Sequence, residues 1–198
     1  MLDVNISEQQ IIEQTRRWVE TLIVGHNICP FARKEMLGNT IRYSVVADKK
    51  RRLVLQALID ECRQLDEQPA IETTLMILPV GFNAFYDYLD VVDLAQQLLH
   101  DQGYEGVYQL ATFHPEYCFD GEADNDAANF TNRSPYPTLH ILREASLEAA
   151  LARYKDPESI PERNIQFARD KGRVFFINLL SECEAFAHAE VSSSSKRK

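Results

Sequence analysis

The chain has 198 residues, 45% of them hydrophobic and 26% charged, with a formal net charge of −9. That length suits a single domain that can bury a core without metal or disulfide staples, and the composition excludes fibrous and wholly disordered classes. The acidic balance, with a sequence pI of about 5.1, opposes attraction to phosphate backbones and anionic lipid, so neither nucleic acid nor a membrane is expected as a partner.

Taken in order, Ser7 with Gln10 three residues on, followed by Ile11, Trp18, Val19 and Leu22, predicts a capped amphipathic helix ending near Gly25. In the next segment Pro30 suits the first position of a short helix and Gly38 its stop, which puts Cys29 at the N-cap. Thr40 to Val46 alternates as a strand, Asp48 to Gln64 has helical spacing, and Thr73 to Pro79 is a strongly apolar strand. A helix from Asn83, closed at Gly103, leads to a strand from Val107 to Phe113, which completes a βαβ rhythm.

Leu110 to Glu144 is then a long polar loop held between two apolar runs, and connections of this length are usually functional or disordered. Tyr117, Phe119, Phe130 and Tyr136 favour order, because disordered segments are poor in aromatic residues. Thr138 to Leu142 supplies a fourth strand and Ser146 to Tyr154 a helix, which the Pro157 and Pro161 region breaks. Glu162 to Ala187 is helical in pattern with an interruption at Gly172. The expectation is a single α/β domain over residues 1–190, with a roughly four-stranded mixed sheet, flanking helices and a long functional loop between the third and fourth strands. Residues 191–198 form a serine-rich and basic end expected to be a disordered tail.

Cys29, Cys62, Cys118 and Cys183 include no C-x-x-C pair, the N-terminus lacks a signal-peptide pattern, and no run reaches the length of a membrane span. A cytoplasmic setting with reduced thiols follows.

Cys29 is the sharpest candidate, since a thiol at a helix N-terminus meets unpaired backbone amides and a positive dipole end that favour thiolate. The competing reading is a small buried cysteine at a turn. His114 lies where a strand gives way to loop, a position suited to a general base, and Arg133 can clamp a carboxylate or phosphate. Asn27, Tyr117, Asn129, Asn132, Tyr136 and His140 are the candidate ligand-binding residues around them. His26-x-x-Cys29 and His114-x-x-x-Cys118 have spacings that zinc accepts, but lack the tighter repeated patterns of established zinc motifs. The acidic alternation from Asp120 to Asp126 lacks the glycine and terminal glutamate of an EF-hand, and no P-loop, G-x-G-x-x-G, G-x-S-x-G or H-E-x-x-H is present.

The strings NICPFA at Asn27 to Ala32, HPEYCF at His114 to Phe119 and NFTNRSPYPTLHILREAS at Asn129 to Ser146 resemble the bacterial family known as domain of unknown function 1415. The resemblance covers nearly the whole chain except the tail. It implies no activity and does not extend reliably to His26 and Cys118, which weakens the zinc assignment. The leading expectation is an enzyme acting on a small polar or anionic molecule, with Cys29 as nucleophile, His114 as base and Arg133 as anion clamp. The alternatives are a non-catalytic ligand-binding or protein-interaction domain and a zinc-binding protein. No cofactor and no oligomeric state follows from the sequence.

Overall fold

The computed structural model describes residues 6–194. Helix α1, Glu8–Trp18, opens on the expected capping box: Gln10 N–H donates to Ser7 Oγ at 3.3 Å, and Ser7 N–H donates to the Gln10 side-chain oxygen at 2.9 Å. The helix continues as a π-helical segment, Val19–Val24, capped by Gly25, where a Cβ would stand 2.3 Å from the Thr21 carbonyl oxygen. Helix α2, Ala32–Gly38, starts two residues later than Pro30 predicts, and Asn39 in the left-handed region closes it. Ala32 N–H bonds back to the Cys29 carbonyl at 3.3 Å, forming an isolated turn ahead of the helical ladder. Cys29 therefore belongs to the turn before α2 and is not its N-cap.

Strand β1, Ile41–Val45, runs parallel to β2, Thr73–Ile77, and α3, Arg51–Glu67, crosses between them. This is the βαβ unit expected from the rhythm of the sequence. Helix α4, Phe85–Asp101, leads to β3, Tyr108–Phe113, at the opposite edge of the sheet. After the long loop, β4, Thr138–Arg143, inserts antiparallel to both β2 and β3, so the sheet order is β1-β2-β4-β3. The chain is a mixed α/β fold with a four-stranded sheet, as expected.

The period of two along each strand divides the core between the two faces. On one face Met76, Leu139 and Ile141 pack with Val54 and Leu58 of α3 and Tyr88 and Val91 of α4. On the other, Leu75, Tyr43 and Phe113 pack with Trp18, Leu22, Phe130 and Phe176. Helix α5, Glu144–Leu151, follows β4 directly, and α6, Ile160–Lys171, carries Pro161 in its first turn, where a missing N–H costs nothing. Gly172, with φ of 75°, separates α6 from α7, Arg173–Ser194. Helix α7 reaches Ser194, inside the end expected to be a disordered tail, and residues 195–198 of that end lie outside the described residues. Among the described residues every peptide bond is trans, including those before Pro135 and Pro137, and no helix is long and apolar enough to cross a membrane.

Candidate functional site

A cavity of about 720 Å³ opens on the second sheet face, within the range of roughly 300–1,000 Å³ typical of small-molecule sites. Its floor is built by cross-strand register: Leu75 of β2 pairs with His140 of β4, which pairs on its other side with Ala111 of β3. Thr73 pairs with Leu142 one step along the same face. The walls are Val19 and Ile23 of the π-helical segment, Leu147 and Ala150 of α5, and the turn from Cys29 to Ala32. Trp18 closes one side by packing edge-on against Phe113, with ring centroids 5.0 Å apart. Ala111, beside His140, carries the smallest side chain of this floor. Lys34 and Arg153, both exposed, line the cavity as well, so it opens to solvent beside them.

Cys29 lines this cavity and is half-buried. Burial pushes its thiol above the ordinary range, against the opposing pull of the Phe31 and Ala32 backbone amides and the Arg163 guanidinium. Removal from water outweighs the amides that the sequence pattern pointed to, and the group is a thiol at neutral pH. All four cysteines are free.

His140 also lines the cavity. Its Nε2 lies 2.7 Å from Thr73 Oγ1, and Thr73 Oγ1 lies 2.6 Å from the Ile141 carbonyl oxygen. Burial lowers its pKa to about 4, so the ring is neutral at physiological pH. Asn132 is the third predicted residue at the wall, with its Nδ2 donating to the Thr112 carbonyl at 3.2 Å. Cys29, His140 and Asn132 thus meet at one cavity.

His114 and Arg133 do not reach it. His114 is fully buried beyond the end of β3, packed against Phe85 and Tyr88 with ring centroids 5.2 and 5.1 Å away. Glu116 N–H donates to its Nδ1 at 2.9 Å, which fixes the proton on Nε2, and Nε2 donates to the Phe82 carbonyl at 2.9 Å. Burial holds this ring neutral as well. With both nitrogens committed, His114 ties the loop to the segment before α4. Arg133 donates to the Tyr117 carbonyl at 3.1 Å and the Asp124 carbonyl at 2.9 Å, and its guanidinium lies 4.4 Å from the Phe130 ring centroid. Its planar fork gathers loop carbonyls, leaving the cavity without an anion clamp from this residue.

The remaining candidates hold the loop and its surroundings. Asn129 accepts from Phe119 N–H at 3.0 Å and donates to the Ala123 carbonyl at 2.9 Å. Tyr117 packs on Phe85 and Phe119. Tyr136 is buried with Ile11 and Ile77 and donates its hydroxyl to the Gln14 side-chain oxygen. Asn27, with φ of 56°, accepts from Arg163 at 2.8 Å through its carbonyl. The loop is ordered by these bonds, a short 3-10 turn at Ala127–Thr131 and the Arg169 ion pair to Asp126 at 2.9 Å. For zinc, His26 packs against Phe167 and edge-on against Phe175, and no group of three or more His, Cys, Asp or Glu capable of holding a metal occurs among the described residues.

Two floor residues, Thr73 and Ala111, escape a sequence reading. Each sits inside an ordinary apolar strand, and only the insertion of β4 between β2 and β3 brings them to either side of His140.

The class defined so far is a mixed α/β protein with an apolar cavity that admits a few polar groups. The family described as "Protein of unknown function (DUF1415)" matches residues 10–177, and the chain belongs to that family. No curated protein and no solved structure matches it.

Proposed function

We propose that this protein binds a small molecule in the cavity between the β2-β4-β3 face and the π-helical segment. The observation that carries this reading is the cavity itself: about 720 Å³, with mostly apolar walls and Cys29, Asn132 and His140 among its few interior polar groups. Apolar concavity with sparse convergent polar groups is the ordinary form of a ligand site. The test is a fluorescence titration with the neutral dye Nile red. The wild type should bind it at a single saturable site, and Ala111→Phe, which fills the floor, should abolish binding while the chain stays folded. Equal binding by both proteins sinks the proposal.

A second reading keeps the cysteine-dependent enzyme but replaces its base. It is favoured by the shared cavity wall of Cys29 and His140, whose neutral ring can accept a proton. His114 and Arg133 then support the loop and take no part in chemistry. This reading requires Cys29 to react with iodoacetamide at pH 7 faster than free cysteine does, and to slow when His140 is replaced by Gln. A slower reaction, as the burial of the thiol implies, leaves the binding protein. The four unpaired thiols support a reducing, cytoplasmic setting for either activity.

A further inference from the structure

Resting on the cavity-binding reading, we infer that the ligand is a neutral, largely apolar molecule that presents an O–H or N–H donor to His140 and Asn132, and that it is not an anion. Thr73 Oγ1 and the Ile141 carbonyl oxygen stand 2.6 Å apart, a contact that is repulsive unless the Thr73 hydroxyl hydrogen lies between them. A hydroxyl has a single hydrogen, so Thr73 Oγ1 can only accept along the 2.7 Å contact to His140. His140 Nε2 therefore carries a proton, and because the buried ring is neutral this is its only one, so Nδ1 is left as a bare lone pair.

Nδ1 has no protein partner among the described residues. Thr74 Oγ1 is the sole fully buried side-chain nitrogen or oxygen without a partner there, so Nδ1 is not sealed away. His140 lies on a strand flanked by β2 and β4's other neighbour β3, with its side chain on the cavity face, so its residual access is to the cavity. Asn132 repeats the pattern. Its Nδ2 donates to the Thr112 carbonyl at 3.2 Å, which orients Oδ1 as the free end. The Thr131 hydroxyl lies 3.4 Å from Oδ1, but its single hydrogen is better placed for the Ala128 carbonyl at 2.9 Å.

The interior thus offers acceptors and lacks cations. The charged residues of the wall are Lys34, Glu35, Glu72, Arg143 and Arg153. Lys34 is paired with Glu35 at 3.0 Å, Arg143 donates to the carbonyls of Leu65 and Ile71 and to the Tyr108 hydroxyl, and Arg153 is solvent-exposed where the cavity opens. An anion beside His140 would face two lone pairs in a poorly hydrated space, whereas a hydroxyl or amine N–H satisfies one of them. The neutrality of the His140 ring at physiological pH is consistent with this.

The test displaces Nile red from the wild-type protein with three molecules of similar shape: 4-propylphenol, 4-propylanisole and 4-propylbenzoate. The phenol should displace it about tenfold more tightly than the ether, the effect of one hydrogen bond to an otherwise unpaired acceptor, and the benzoate should be weakest. His140→Leu should bring phenol and ether within about twofold of each other, the residual preference being that of Asn132. A second readout needs no variant: the His140 Nδ1 nitrogen-15 resonance should have the position of an unprotonated imidazole nitrogen and move upfield as phenol is added. Failure of Nile red to bind at all overturns the cavity reading and this inference together. Dye binding with equal displacement by the three molecules, preference for benzoate, displacement by none, or a protonated Nδ1 overturns this inference and leaves the cavity reading standing.

Discussion

Replacing His114 by Leu separates a structural histidine from a catalytic one. The substitution roughly preserves side-chain volume but removes both ring nitrogens, leaving the buried Phe82 carbonyl without its donor and the Glu116 amide without its acceptor. An unsatisfied buried carbonyl costs about 1–3 kcal/mol, and the amide, nearer the surface and able to find water, about 1 kcal/mol or less. The expected loss is about 1–4 kcal/mol, read as a lower urea midpoint with an unchanged slope. At roughly 2–4 °C per kcal/mol for a chain of this size, the melting temperature should fall by about 2–16 °C. Nile red affinity below the transition should stay as in the wild type, since His114 is not part of the cavity wall. A loss below about 0.5 kcal/mol refutes the hydrogen-bond reasoning. A stable variant that no longer binds the dye would restore His114 to the site.

Acid should destabilise the protein through its buried histidines. His140 falls from 6.5 unfolded to about 4 folded, so below pH 6.5 the unfolded chain takes a proton that the folded ring refuses. Stability should therefore drop between about pH 6.5 and pH 4, by about 3 kcal/mol for His140 at about 1.4 kcal/mol per pH unit. His114 and His26 are lowered by burial too and act in the same direction. Urea midpoints across this range should fall less steeply in His140→Gln, and identical profiles would contradict the assignment. Gly81→Ala should cost about 2–4 kcal/mol, because φ is 92° and a Cβ would stand 2.4 Å from Lys49 Cβ. Gly103→Ala, with φ of 77° and open space around it, should cost about 1 kcal/mol, and equal melting shifts for the two would be at odds with the close approach.

The elements were legible in the sequence where local chemistry decides them. The Ser7–Gln10 capping box, the strands near Ile41, Thr73, Tyr108 and Thr138, and the break at Gly172 all follow from short-range patterns. What spacing could not supply is the pairing. β4 follows β3 in sequence but separates it from β2, and that insertion sets Ala111, His140 and Leu75 side by side. The site was half legible for the same reason. Local context marks Cys29 and Asn132, which line the cavity, whereas the place of His140 on the same wall depends on the register of β4. His114 stands where the long loop begins and Arg133 within it, positions that suit a loop anchor as well as a functional group, and the carbonyls they reach are anchoring bonds that no local pattern announces. At Cys29 the sequence shows the neighbouring backbone amides but not the burial that opposes them.

The most direct measurement is a set of NOEs between bound Nile red and the methyl groups of the protein. The account predicts contacts to Ala111, Leu142 and Ile23, which line the cavity from the floor and the π-helical wall. Contacts confined to Met76, Leu139 and Ile141 on the opposite face, or a bound dye that touches none of the cavity methyls, would contradict it.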